Sequence, residues 1–462
     1  MIKKMVRFVP GVFIPMGFNF ILTILYAKVL SPGEYGILNI YLNTIQILYA
    51  MTLSVFQNAS LRFYSIKDSY NGKGEFVSSF VFANIFVTVL VIPVAIIINL
   101  FLKFNWQIIV LAIGVNGLYL FFCNCFRLEN QACQYNLFRC VQSVGAVIIL
   151  FGLSFIVNPM SFAGPLYVVY GCYGVLSIIE IIRRRAAIKI TLINTQLLKD
   201  SVLYGLPLIG VSVLGYIVAS CDQYFLLYYL GDEAVGNYAL GHRLVDAICV
   251  NLLTMILLVM TPELNRIHDQ MGTKDSTHVL KKMISGAIWT SVPISVAIII
   301  YARPIIDFIF TEYKNAAHIM QLVVFASIFH GISMFTCKGL ELAKKPKYIF
   351  YCLAAATVIN CLYNAIFIPI YGIDASAHSS LIAYIMYNTL LLVITRKYYP
   401  ISVDIGYAIR VGIITIITAL LGIGLMRKFP IAGIDILIIQ ALICVVCYLA
   451  LSVVLKLTNV FK

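Results

Sequence analysis

Apolar residues run in blocks of about 20 from one end of the chain to the other, separated by short polar segments. A helix needs roughly 20 apolar residues to cross the hydrocarbon core of a bilayer. The blocks lack the strict alternation of a half-buried strand, so they are read as helices. They predict about fourteen spans, at 8–30, 36–60, 76–102, 107–126, 138–157, 163–182, 203–229, 235–261, 284–310, 318–341, 348–369, 375–395, 405–426 and 432–455. The expected fold class is an all-α polytopic membrane protein.

Composition supports lipid as the solvent of the folded chain. The 462 residues are 61% hydrophobic and 11% charged, against roughly 25% charged in a soluble domain. The start, Met1-Ile2-Lys3-Lys4, has the basic character of a signal peptide. The apolar block behind it is too long for one and lacks a small-residue cleavage site, so it is read as a retained first span.

The net charge of +14 acquires a meaning once the spans are drawn. With the N-terminus in the cytoplasm, 25 of the 33 Lys and Arg fall on cytoplasmic segments and six on outer ones. The densest inner groups are Lys3, Lys4 and Arg7; Arg183, Arg184, Arg185, Lys189 and Lys199; Arg266, Lys274, Lys281 and Lys282; and Lys344, Lys345 and Lys347. Such a bias orients membrane proteins, and removing one helix would invert every later loop. Both termini are therefore expected in the cytoplasm. The basic residues read as orientation signal and lipid contact, not as a nucleic-acid surface.

The chain also divides. The expected domains are a six-helix lobe at 1–182, a basic cytoplasmic linker at 183–202, a second six-helix lobe at 203–397, and two additional spans at 398–462. Leu30-Ser31-Pro32-Gly33-Glu34-Tyr35-Gly36 matches Leu230-Gly231-Asp232-Glu233-Ala234-Val235-Gly236 at an offset of 200. Cys125, Leu128, Glu129, Phe138 and Cys140 match Cys337, Leu340, Glu341, Phe350 and Cys352 at an offset of 212, with the longer loop at 262–283 absorbing the difference. Because each lobe has an even number of helices, the repeat is parallel, as in transporters whose symmetry axis lies along the membrane normal. Two such bundles are expected to leave a cleft that opens to alternate sides.

Two six-helix lobes, the hairpin at Leu30 to Gly36, and Gly205-Leu206-Pro207 followed by Asp222-Gln223-Tyr224 and Gly236-Asn237-Tyr238 together resemble the Wzx-type polysaccharide flippases. These belong to the multidrug/oligosaccharidyl-lipid/polysaccharide (MOP) exporter superfamily. The family usually has Asp-Arg where this chain has Asp222-Gln223, so one cation of the pattern is missing. The resemblance spans about residues 5–400 and implies a transporter, not an enzyme. It implies movement of undecaprenyl-pyrophosphate-linked glycan for O-antigen, capsule or exopolysaccharide synthesis. A bacterial cytoplasmic (inner) membrane follows, with polysaccharide polymerase and chain-length machinery as partners.

Charged groups within spans are costly and usually face a cavity or a partner. Asp222, Arg243 and Asp246 are placed where they can meet, since Asp222 and Arg243 each lie roughly 12 Å from the turn between their helices. Two readings stand. One is an ion pair that locks two helices. The other is a guanidinium facing the cleft and gripping phosphate oxygens in a fork. Arg62, Arg127 and Lys338 lie at cytoplasmic helix ends, where they either reach lipid heads or form a basic vestibule. Glu129 and Glu341 are expected to pair with these cations. Asn19 stands in the first span where drug exporters of the same superfamily commonly carry an acid.

No Walker A, HExxH or GxSxG pattern occurs, so neither ATP hydrolysis nor hydrolytic catalysis is expected. No cofactor is expected. The twelve cysteines, among them Cys123, Cys125, Cys249, Cys361 and Cys444, are scattered without CxxC pairing, and no metal site is expected. The short outer loops leave no room for an outer catalytic domain, which disfavours a glycosyltransferase or polymerase. A cation-coupled multidrug exporter and a peptidoglycan precursor flippase remain as alternatives.

Overall fold

The structure is a computed structural model that describes residues 7, 10–64, 72–102, 105–157, 159–399, 401, 404–429, 433–455 and 457, without the side chains of 73, 101, 102, 207, 208 and 434. Lys3, Lys4, the side chain of Pro207 and both chain ends, on which the expected topology also drew, lie outside the described residues. Fifteen α-helices and no strand occur among the described residues. They are α1 Pro10–Val29, α2 Pro32–Met51, α3 Ser54–Phe63, α4 Lys73–Leu102, α5 Trp106–Leu128, α6 Ala132–Ser154, α7 Ala163–Arg183, α8 Thr195–Leu230, α9 Asp232–Met271, α10 Thr273–Ile309, α11 Ala316–Leu342, α12 Pro346–Tyr371, α13 Ile373–Tyr398, α14 Ile405–Lys428 and α15 Ile434–Val454. Thirteen are long and apolar enough to span a membrane, or fourteen when α2 and α3 count as one bent span.

The second span differs from the straight helix expected at 36–60. It bends by 49° between α2 and α3. Thr52 Oγ1 donates to the Leu48 carbonyl at 2.6 Å, and Ser54 Oγ donates to the Ala50 carbonyl at 2.6 Å. Hydroxyls that bond backward in this way bend helices. Side chains hold the bent segment in place: Gln57 Nε2 donates to the Gly117 carbonyl at 2.7 Å, and Asn124 Nδ2 donates to Gln57 Oε1 at 3.1 Å.

The chain folds as two compact units, Met1–Ile217 and Val218–Lys462. The division falls inside α8, not at the expected linker of 183–202. The local contacts explain this. Ser78 Oγ donates to the Ala187 carbonyl at 2.8 Å, Asn194 Nδ2 donates to Glu75 Oε2 at 3.0 Å, and Ser79 Oγ accepts from the Asn194 N–H at 2.8 Å. The basic segment is thus stitched to the start of α4. The first turns of α8 then lie on α3, where a Cβ on Gly205 would meet the Val55 carbonyl oxygen at 2.8 Å and Cα at 2.9 Å. The Gly205 of the resemblance motif is therefore a close approach of two backbones.

In the first unit α1 packs on α6, and α5 on α4 and α7. In the second, α11 is central, packed by α9, α10 and α13, with α12 on α13. The last two helices attach through α10. Tyr448 Oη donates to the Trp289 carbonyl at 2.7 Å, and Trp289 Nε1 donates to Ser452 Oγ at 3.1 Å. Asp404 caps α14 by accepting from the Tyr407 N–H at 2.9 Å, and its carboxylate lies 3.4 Å from Lys281. Both interactions hold its pKa below the ordinary carboxylate range.

The expected loop at 262–283 is helical. Gly272 alone separates α9 from α10, with φ of 84°, a left-handed conformation that glycine adopts without steric cost. The repeat is also shifted. Helices α5 and α11 end in the same hydrogen-bonded cap: Gln131 N–H to the Phe126 carbonyl and Asn130 N–H to Arg127, against Lys345 N–H to Leu340 and Lys344 N–H to Glu341. Asn130 and Lys344 take the left-handed backbone, with φ of 57° and 56°, which is the Schellman arrangement. This sets the offset at 214, not 212. Arg127 matches Glu341, and Glu129 matches Ala343.

Gly205→Ala is expected to lower stability by about 1–3 kcal/mol, because rigid backbone, not a flexible side-chain end, blocks the new methyl. Thermal unfolding of the purified protein in detergent measures it; an unchanged midpoint would show that α8 and α3 are not in backbone contact.

Candidate functional site

The densest group of buried polar side chains lies in the second unit. Tyr238, His242 and Asp246 follow one another at four-residue spacing along α9, so they share one face. Asp222 on α8 is fully buried. Its carboxylate accepts from the Tyr238 hydroxyl, from Ser380 Oγ at 3.3 Å, and from the backbone N–H of Gln223 at 2.8 Å. Asp246 lies 3.2 Å from His242 Nδ1 and accepts from Ser327 Oγ at 2.6 Å. The His330 ring stacks on Tyr384 at 4.8 Å.

Amides extend the group on α12 and α13. Cys221 donates to Asn360 Oδ1 at 2.7 Å, Ser379 Oγ donates to Asn364 Oδ1 at 2.8 Å, and Asn388 Nδ2 donates to the Phe329 carbonyl at 2.7 Å. Away from water each of these groups must be satisfied by a neighbour. Exposure rises along the α9 face, from 0% at Tyr238 to 32% for the Asp246 side chain. One carboxylate is sealed and the other is reachable, and the neutral oxygens and amides around them can hold a proton or a small cation.

The candidate residues are distributed as follows. Asp222 and Asp246 join this one network through Tyr238 and His242. Arg243 is half-buried on α9 beside His242. Sequence spacing pointed Asp222 towards Arg243; its carboxylate takes neutral partners. Asp246 takes His242, four residues earlier on the same helix. Lys338 pairs with Glu341 at 2.5 Å, as expected, whereas Glu129 takes Arg184 from the basic segment at 2.9 Å. Arg62 and Arg127 are exposed in the last turns of α3 and α5. Asn19 is exposed on α1. Tyr238, Ser327 and Ser380 were missed, although the spacing of Tyr238, His242 and Asp246 was a legible signal. All twelve cysteines are free thiols, and no cluster of three or more metal-ligating His, Cys, Asp or Glu occurs among the described residues.

A second feature lies between α10, α14 and α15. It is a cavity of about 280 Å³ with mostly apolar walls, among them Pro293, Ala297, Ile300, Ala419 and Val445.

Comparison with known proteins follows the same lines. The profile of a family described as polysaccharide biosynthesis protein matches residues 3–268, more than half of the chain. The chain belongs to this family. A second profile, MatE, matches residues 207–366. An uncharacterized membrane protein of Methanocaldococcus jannaschii is 21% identical, with 96% of this chain and 93% of that protein covered. Among solved structures, the lipid II flippase MurJ in an inward closed conformation superposes with a TM-score of 0.76 at 15% identity, covering 99% of this chain and all of that one. An inward-facing multidrug resistance MATE family transporter of the MOP superfamily gives 0.64 at 13% identity, covering 85% and 97%. The chain thus has the all-α membrane fold of these solved structures.

Asp222→Ala is expected to destabilise the protein by about 1–3 kcal/mol, since Tyr238 and Ser380 would lose their buried acceptor. Asp222→Asn keeps an acceptor and is expected to cost less. Thermal unfolding of the three proteins side by side gives the order, and equal midpoints would remove Asp222 from the network.

Proposed function

We propose that the protein is a flippase that moves undecaprenyl-pyrophosphate-linked oligosaccharide repeat units from the cytoplasmic to the outer face of a bacterial cytoplasmic membrane. Its two lobes would act by alternating access. The observation that carries this reading is the polysaccharide biosynthesis profile across residues 3–268 of a chain with a transporter fold. A sugar headgroup cannot cross hydrocarbon unaided, because its hydrogen-bonding groups would lose water without replacement. A protein path lined by amides and cations supplies the replacement while the lipid tail stays in an apolar setting. The cavity between α10, α14 and α15 suits an isoprenoid segment.

In this reading Arg243 grips the diphosphate, and Arg62, Arg127 and Lys338 draw it in from the cytoplasm. Asp222 and Asp246 hold the coupling ion or orient α8 against α9, and Asn19 faces the sugars. The two lobes that move in this reading are joined within α8, and the spans at 398–462 travel with the second through α10.

The drug-exporter alternative is disfavoured by the first unit. Along α1, α2 and α4 the acids are Glu34 and Glu75, each in the first turn of its helix. Glu34 accepts from the Phe162 N–H at 2.5 Å and so serves the fold. The peptidoglycan precursor alternative draws on the full-length superposition with the lipid II flippase.

Deleting the gene in its host is expected to abolish surface glycan while lipid-linked repeat units accumulate on the cytoplasmic face. Restoring the gene as Arg243→Ala is expected to return about a tenth of the export or less, the loss of one charge-assisted contact to phosphate. Normal surface glycan and no trapped intermediate, in a host without a second flippase, would refute the proposal. Arrest of cell-wall synthesis instead would favour the peptidoglycan precursor.

A further inference from the structure

The end of α13 and the start of α12 carry a cluster that the transport reading leaves unused. Tyr348 and Tyr398 stack at 5.4 Å, and the Tyr398 hydroxyl donates to that of Tyr348 at 2.9 Å. Lys345 lies over the Tyr398 ring at 5.8 Å and Lys347 over the Tyr348 ring at 5.4 Å. Lys397 adjoins Tyr398 in the last turn of α13. Two ammonium groups therefore lie over one pair of rings, and Arg396 and Lys397 add charge at the same helix end.

Like charges gathered in this way repel one another unless an anion intervenes. The nearby acid, Glu341, is engaged by Lys338. Among the described residues none of the three lysines has a carboxylate within ion-pair distance. The ring faces attract the ammonium groups but leave their full charge uncompensated. The site is built in other respects: the tyrosines are fixed by stacking and by their mutual hydrogen bond.

Its place in the fold limits the ligand. Both helices begin or end their apolar runs here, and tyrosines at such ends sit at headgroup depth. The lysine bias puts this end on the cytoplasmic side. We infer that Lys345, Lys347 and Lys397, with the Tyr348–Tyr398 pair, form a binding site for the phosphoryl headgroup of a membrane lipid. Two sources share that chemistry: an anionic phospholipid, and the diphosphate of a polyprenyl carrier before it enters the protein. The phospholipid source does not depend on the transport reading; the carrier source does.

The test is native mass spectrometry of the purified full-length protein released from micelles that contain either phosphatidylglycerol or undecaprenyl diphosphate. The triple variant K345Q/K347Q/K397Q is compared with K189Q/K199Q/K274Q, which removes as many exposed lysines elsewhere. The first is expected to retain about tenfold less bound lipid than the native protein, and the second to match the native protein. The triple Lys→Arg variant at 345, 347 and 397 is expected to bind normally, which separates loss of charge from loss of fold. Selective loss of phosphatidylglycerol assigns the site to phospholipid, and selective loss of undecaprenyl diphosphate assigns it to the carrier. Equal losses in both glutamine triples, or no loss in either, would overturn the inference.

Discussion

A polar group placed in hydrocarbon costs free energy unless it finds a partner within the chain, and this constraint shapes both the backbone and the polar sites of the protein. It makes the backbone helical, since each N–H then has a carbonyl in its own segment. It also governs the exceptions. Where α2 breaks from α3, Thr52, Ser54, Gln57 and Asn124 take up the hydrogen bonding of the bend. Where charge enters the second unit, Asp222 is enclosed by a tyrosine, a serine and a backbone amide.

The same constraint connects the fold to the work proposed for it. A membrane helix bundle made only for stability has little use for a row of carboxylates, imidazoles and amides through its middle. Here such a row runs along one face of α9 and across α12 and α13, sealed at Asp222 and open at Asp246. The row costs stability if any partner is lost, and it gives the second unit a polar interior. The first unit is built differently: its buried core is rich in stacked aromatics, such as Tyr119 between Phe138 and Tyr173, and its principal acids Glu34, Glu129 and Glu180 serve helix ends.

Much of this was legible in the residues. Apolar blocks and the distribution of lysine and arginine were enough for the fold class and the number of spans, because both follow from the bilayer itself. The hairpin at Ser31 was legible too, since a capping serine followed by proline and glutamate starts a helix for local reasons. Features that depend on the third dimension were not. The repeat offset of 212 followed residue identities, Glu129 with Glu341, whereas the structure repeats the hydrogen bonds of a turn, at 214. The segment 183–202 reads as a linker from its basic residues and its place after six helices; its hydrogen bonds to α4 rest on Ser78, Ser79 and Asn194, which carry no such signal. The contact of Asp246 with His242 was legible in the helical spacing of four, whereas charge points to Arg243 instead.

The central claim is the proposal that this chain moves a polyprenyl-linked oligosaccharide across a bilayer. The direct measurement uses purified protein in sealed vesicles with a fluorescent undecaprenyl-pyrophosphate oligosaccharide, reading how much label becomes accessible to a membrane-impermeant quencher. The account predicts protein-dependent exchange between leaflets for this lipid, with slower exchange for one that carries no sugar. Leaflet exchange no faster than in protein-free vesicles, in preparations that move an organic cation instead, would contradict it.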